Sequence, residues 1–358
     1  MADDLKRLYN RELVEGLAFD LDLPSGFIDE CLSGLEALEL MARAAHIAEV
    51  MHRHLPTYFP DTAAVLIRSL HSPTAGNSFR FLPHSLLISR YGIDHFEEAM
   101  QAQHELTKRF TAEFSIRAFF EKYPAETHAR FTEWARDENH HVRRLVSEGS
   151  RPRLPWAARL RAFQQDPAPV IALLELLKDD PELYVRRSVA NNLNDIAKDH
   201  PQKAVEVCRR WAKDAGPERW WIIRQALRSL VKQGHPEALE ILGFAGSPKV
   251  QISNAAFAPP TLRIGDTLRF SFDLTSTSAR KQTLLVDYAI HYVKANGRTA
   301  RKVFKLTSAI LPPRGSVTLR ATTSFREMTT RKHYPGIHTL DVLINGVIFP
   351  LGAVTLTA

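Results

Sequence analysis

Cysteine is nearly absent: Cys31 and Cys208 are the only two in 358 residues. Two thiols cannot build the disulfide framework of a small secreted domain, and they suit a reducing compartment. Long apolar runs are missing too; none approaches the roughly 20 residues that a membrane-spanning helix needs. The start, Met1-Ala2-Asp3-Asp4, is acidic and lacks the apolar stretch of a signal peptide. Secreted, membrane and collagen-like readings are excluded, and a soluble cytoplasmic protein is expected. No phosphate-binding glycine loop, P-loop lysine, Cys-x-x-Cys pair or His-Glu-x-x-His helix appears. Of the 15 histidines, His52 and His54, and His140 and His141, lie closest. Neither pair has the i, i+4 spacing that aims two rings at one metal, so no metal site is expected.

What is present is an ordinary globular composition, 44% hydrophobic and 24% charged, which argues against disorder. A chain of this length is expected to form two domains. Its net charge of +7 is unevenly spread. Residues 251–358 hold 14 basic and 5 acidic side chains, a surplus of +9, whereas residues 1–70 carry −6 and residues 71–250 carry +4. A small domain at +9 suits a polyanion partner, because clustered cations attract phosphates and release counterions. A solubilising surface is the alternative.

Residues 1–242 read as helical. Leu5, Leu8, Tyr9 and Leu13 form one apolar stripe at helical spacing, and Leu35, Leu38, Met41, Ala45 and Val50 another. Prolines punctuate the stretch from Pro56 to Pro236. Those in Asp166-Pro167, Asp180-Pro181, His200-Pro201 and Gly216-Pro217 mark helix starts, where a missing N–H costs nothing. Trp134-Ala-Arg-Asp-Glu-Asn-His-His-Val-Arg-Arg144 is echoed by Leu177-Lys-Asp-Asp-Pro-Glu-Leu-Tyr-Val-Arg-Arg187 and, more distantly, by Trp211 to Arg224. The period of about 40 residues is that of paired-helix HEAT-type repeats, which stack into a solenoid.

Past residue 243 the texture changes. A linker at Gly243–Lys249 precedes β-rich runs at Thr267–Leu274, Thr283–Val293, Lys302–Ile310, Ser316–Thr322, Ile337–Ile344 and Val347–Thr357. About seven strands in 108 residues suggest an immunoglobulin-like sandwich without a disulfide. The expected fold class is thus α+β multidomain, a HEAT-like α-solenoid over 1–245 followed by a basic all-β sandwich over 246–358.

Three constellations stand out. On the helix after Pro181, Val185, Val189, Leu193 and Ile196 form an apolar side, while Arg187, Asn191 and Asp195 form a polar stripe. That stripe suits phosphate or ligand contact, or an Asp–Arg ladder between stacked repeats. Next, Arg143, Arg144, Glu148, Arg151, Arg153 and Trp156 run from a helix into a Gly/Pro loop. Arginines grip phosphates bidentately, a carboxylate among them stays charged, and an exposed Trp stacks on a base or a cation. A surface loop with a packed Trp is the alternative. Finally, Glu113 falls in an apolar, aromatic helical stretch with Arg117 as its i+4 neighbour, placing it either at a site or in a structural pair.

At Thr111–Arg117, His141–Trp156 and Tyr184–Asp195 the chain resembles the AlkC-type DNA alkylation repair proteins, relatives of the AlkD glycosylases. The resemblance spans roughly residues 5–245, and the basic β-region resembles the immunoglobulin-like extension of one AlkC subgroup. It implies an N-glycosylase for positively charged alkylated bases such as 3-methyladenine and 3-methylcytosine, acting without flipping the lesion into a deep pocket. By match, Glu113, Glu148, Trp156 and Asp195 would be the active-site residues. Where AlkD-type proteins are expected to use a further Trp, this chain reads Asn191-Asn192, so base-edge contacts must differ. The expected partner is double-stranded DNA carrying alkylated bases, engaged by a monomer. Arg143, Arg144, Arg151, Arg153, Arg187, Asn191, Arg224, Arg331 and Lys332 are the expected DNA contacts. A charged base leaves as a neutral molecule, so no metal or organic cofactor is expected. A non-catalytic HEAT scaffold binding DNA or protein is the competing reading.

Overall fold

The structure, a computed structural model, describes residues 5–72, 78–244, 246–328 and 331–358. The helices run α1 (Arg11–Leu21), α2 (Ser25–Leu32), α3 (Leu40–His54), α4 (Phe59–Ser69), α5 (Leu82–Tyr91), α6 (Phe96–Thr107), α7 (Ile116–Lys122) and α8 (Pro124–Trp134). They continue as α9 (His140–Gly149), α10 (Arg161–Gln165), α11 (Ala168–Leu177), α12 (Leu183–Asp199), α13 (Pro201–Trp211), α14 (Pro217–Ala226), α15 (Arg228–Gln233) and α16 (Pro236–Ile241). Pro201 and Pro217 open their helices, as their fixed φ and missing N–H dictate. None of the described helices is long and apolar enough to cross a membrane.

Helices pack on an element two or three places along: α3 on α5, α4 on α6, α9 on α12. The repeats share a local device. Arg143 donates to the carbonyls of Asp137 and Glu138, both at 2.9 Å, and its counterpart Arg186 donates to those of Asp180 and Pro181 at 2.8 and 2.6 Å. An Asp–Arg ladder does join stacked repeats. It runs through Arg143–Asp180 at 2.6 Å and Arg219–Asp179 at 2.6 Å. Between α9 and α12 the fully buried Leu145, Val146, Val185, Val189 and Leu193 form the core. Asn192, unfavourable mid-helix by propensity, is explained here: its amide donates to the Ser147 carbonyl at 2.7 Å and to Ser150 Oγ at 3.2 Å. Gly149 ends α9 because a Cβ there would stand 2.7 Å from Ile116 Cγ2 of α7.

The β-region has eight strands among the described residues: β1 (Val250–Ala258), β2 (Thr261–Arg263), β3 (Thr267–Ser276), β4 (Gln282–Val293), β5 (Thr299–Leu311), β6 (Ser316–Ser324), β7 (Gly336–Ile344) and β8 (Val347–Thr357). One sheet is ordered β1-β3-β6 and the other β2-β8-β7-β4-β5. Pairing is antiparallel except for β2 with β8. Along β3, Leu268, Phe270, Phe272 and Leu274 point inward and alternate with Arg269, Ser271, Asp273 and Thr275. They meet Val286, Ile290, Phe325, Val342 and Ile344 in one apolar core.

The chain folds as two compact units. One holds residues 1–200 with 216–222, and the other 201–215 with 223–358. Helices α13, α15 and α16 therefore share a unit with the sandwich, whereas periodicity groups them with the other helices. Within that unit Gly234, in the left-handed region at φ 78°, closes α15 against the β7–β8 turn. A Cβ on Gly346 of that turn would lie 2.5 Å from the Gly234 Cα.

Candidate active site

Three of the four expected site residues line one cleft of about 260 Å³. Glu113, Glu148 and Trp156 stand on its wall with Phe79, Phe110 and Leu154. Asp195, only 2% exposed, lies behind and joins them through an ion pair.

Glu113 is not on a helix. It sits in the turn before α7, and the i+4 relation to Arg117 does not form. Glu113 Oε2 accepts from Arg144 Nη1 at 2.6 Å and from Thr111 Oγ1 at 3.0 Å. Buried Arg117 serves the loop instead, donating to the carbonyls of Gly149, Arg151 and Ala158. Desolvation pushes its guanidinium down to about 10. One side chain thus pins three carbonyls of the segment that carries Trp156.

Glu148, near the C-terminal end of α9 and 6% exposed, accepts from Arg151 Nη1 at 2.5 Å and from Ser188 Oγ at 2.6 Å. Arg144 Nη2 lies 3.6 Å from the same carboxylate, and its guanidinium covers the Tyr184 ring at 5.1 Å. Asp195 Oδ2 accepts from Arg151 Nε at 2.8 Å, and Oδ1 accepts from Lys198 Nζ at 2.7 Å. Burial disfavours charge on Arg144 and Arg151, but the adjoining carboxylates outweigh it and hold both above the ordinary arginine range.

Trp156 is 63% exposed at φ 64°, a left-handed conformation that a bulky side chain adopts only under constraint. Such strain collects at functional positions and costs on the order of 1–3 kcal/mol. Trp156→Gly is therefore expected to melt about 1 kcal/mol above Trp156→Ala, since only glycine relieves the backbone. Paired thermal melts check this; an alanine variant as stable as the glycine variant defeats it.

The expected phosphate grips divide. Arg143 is taken up by Asp180 and two carbonyls, Arg153 by Asp199 at 2.8 Å, and Arg144 and Arg151 by the site carboxylates. Arg187 and Arg224 are exposed, and Asn191 is half-buried. In the sandwich, Arg331 lies over the Tyr292 ring at 5.1 Å, and Lys332 is exposed. The stripe on α12 thus runs from exposed Arg187 to buried Asp195. Sequence reasoning missed Thr111, Tyr184, Ser188 and Lys198. Ser188 carried a usable signal, a hydroxyl beside Val185 and Val189 on the buried side of α12. The histidine pairs serve packing: His52 stacks on Tyr91, His54 pairs with Glu30, and His140 and His141 adjoin Tyr184. Among the described residues no group of three His, Cys, Asp or Glu could hold a metal ion.

Comparison with known proteins gives three findings. A family model described as the C-terminal Ig-like domain of the uncharacterised protein YhaZ matches residues 251–358. The uncharacterized protein YhaZ of Bacillus subtilis (strain 168) is 37% identical over 352 residues, 96% of this chain and 97% of that protein. The Pseudomonas fluorescens alkylpurine DNA glycosylase AlkC, solved bound to DNA containing an abasic site analog, is 39% identical, with a TM-score of 0.94 over 99% of both chains. A fold shared over the full length with 39% identity places this chain in the AlkC-type family of DNA glycosylases, in the branch carrying a C-terminal immunoglobulin-like domain.

Proposed function

We propose that the protein removes positively charged N-alkylated bases, 3-methyladenine and 3-methylcytosine, from double-stranded DNA by hydrolysing the N-glycosidic bond. One observation carries this reading: Glu113, Glu148 and the strained, exposed Trp156 share one cleft. A cationic base departs with the electron pair of the C1′–N bond and becomes neutral, so no general acid is needed. The sugar develops oxocarbenium character, water adds at C1′, and its proton passes to a carboxylate and then to solvent. Glu148 and Glu113 face the developing cation, Asp195 supports them through Arg151, and Trp156 adds cation–π attraction. An open cleft of this size favours excision without flipping the base into a deep pocket. Exposed Arg187, Arg224 and Lys332, with Arg331 and Asn191, supply the DNA contacts, and the protein works as a monomer.

The test is release of free 3-methyladenine or 3-methylcytosine from methylated duplex DNA. Free base with an abasic product is expected, and DNA affinity should fall by about 0.9 log unit per log unit of salt for each phosphate held. Salt-dependent binding without any base release would favour the scaffold reading instead.

A further inference from the structure

Charges alternate along the site in the order Glu113, Arg144, Glu148, Arg151, Asp195. The links measure 2.6 Å from Arg144 to Glu113, 3.6 Å from Arg144 to Glu148, 2.5 Å from Arg151 to Glu148 and 2.7 Å from Arg151 to Asp195. The two arginine side chains are only 16% and 10% exposed. Each is braced from elsewhere, Arg144 by the Tyr184 ring and Arg151 through its own carbonyl, which accepts from Arg117 at 2.9 Å.

We propose that Arg144 and Arg151 are positioning residues for base excision, aiming the three carboxylates, and that neither holds a DNA phosphate. The inference rests on the carboxylate reading above. A phosphate reaching either guanidinium would have to displace a carboxylate and leave it without its arginine in a buried place, an unfavourable exchange. The planar fork also fixes where each oxygen points, which a lysine cannot do. Other groups facing the chain are Thr111 at Glu113, Ser188 at Glu148 and Lys198 at Asp195, with Tyr184 and His141 near Arg144, Arg117 near Glu113 and Arg151, and Arg153 near Asp195.

The experiment uses full-length Arg144→Lys, Arg151→Lys and Arg151→Met. Single-turnover release of 3-methyladenine is followed against protein concentration, which separates the excision rate from binding, and affinity for unmodified duplex DNA against salt. Base release should fall at least tenfold at neutral pH, with affinity and salt slope unchanged. An unchanged rate overturns the proposal, as does weaker DNA binding with a salt slope reduced by about 0.9 per substitution. If Arg151→Met melts below the assay temperature, the lysine variants decide, since slower release at parental affinity supports the proposal and the reverse overturns it. Glu148→Gln separates the two readings: parental release by that variant sinks the carboxylate mechanism itself, whereas slow release with unaffected arginine variants sinks only this inference.

Discussion

Glu148→Gln is expected to leave melting near the parental value and to slow release of a cationic base roughly 100- to 1000-fold, the roughly 2.7–4 kcal/mol that one preorganised electrostatic group supplies. The substitution keeps shape: the amide oxygen can still accept from Arg151, and the amide nitrogen can donate to Ser188 Oγ in place of the present bond, so packing survives while the negative charge is lost. Asp195→Asn should act in the same direction and less strongly, because Asp195 reaches the cleft only through Arg151. Glu113→Gln should also slow release, since Glu113 lines the cleft and pairs with Arg144 rather than Arg117. Single-turnover assays with parallel melts make the measurement. Parental rates from normally melting Glu148→Gln and Asp195→Asn would remove the carboxylates from the mechanism.

The second large effect is on stability in acid. His84 of α5 is 1% exposed, and its Nε2 lies 3.0 Å from Ser69 Oγ. That hydroxyl already donates to the Leu66 carbonyl, so Nε2 carries the hydrogen and Nδ1 is left bare, buried and without a partner. Burial, with Arg80 nearby, pushes the imidazole down to about 3. The unfolded chain takes a proton at this position below about pH 6.5, and the folded chain does not until about pH 3. Stability is therefore intact above pH 6.5 and lost as pH falls through that window, by about 1.4 kcal/mol per pH unit and about 2 kcal/mol at pH 5. Burial likewise lowers His333 and His338 in the sandwich, adding in the same direction for that unit. Urea melts at pH 6.5 and 5 should show the loss, and His84→Gln should flatten it. Equal pH slopes in the two proteins would refute the assignment.

Legibility in the sequence followed the range of the interaction. The apolar side of α12, the helix-opening Pro201 and Pro217, and strands β3 to β8 obey local rules of period and turn chemistry, and all emerged at or near their observed bounds. β1 and β2 did not. β1 is a half-exposed edge strand bulged between Ser253 and Ala256, and β2 has three residues, so neither offers an alternating pattern to read. The site behaved the same way. Glu113, Glu148 and Trp156 were singled out by pattern and by resemblance, and Glu148 was placed among the arginines that do adjoin it, Arg144 and Arg151, but the partners from other segments were not found. Arg144 lies 31 residues from Glu113, and Arg151 lies 44 from Asp195, distances at which spacing along a helix says nothing. Reading Glu113 as helical made Arg117 its natural partner; the turn before α7 removed that relation.

Alternation of charge in the site bears on how a repair protein tolerates its own machinery. Glu113, Glu148 and Asp195 carry three negative charges, and Arg144, Arg151 and Lys198 return three positive ones within ion-pair distance. Beyond the screening length of about 8 Å the cluster is therefore close to silent. Three bare carboxylates would push the phosphate backbone away from the place where it must come closest. A neutral cluster repels neither strand and draws in no counterions from afar. On the proposed reading, its oriented carboxylates are felt only over a few ångströms, by a base that carries an extra positive charge, and discrimination would be exercised on contact rather than during the approach.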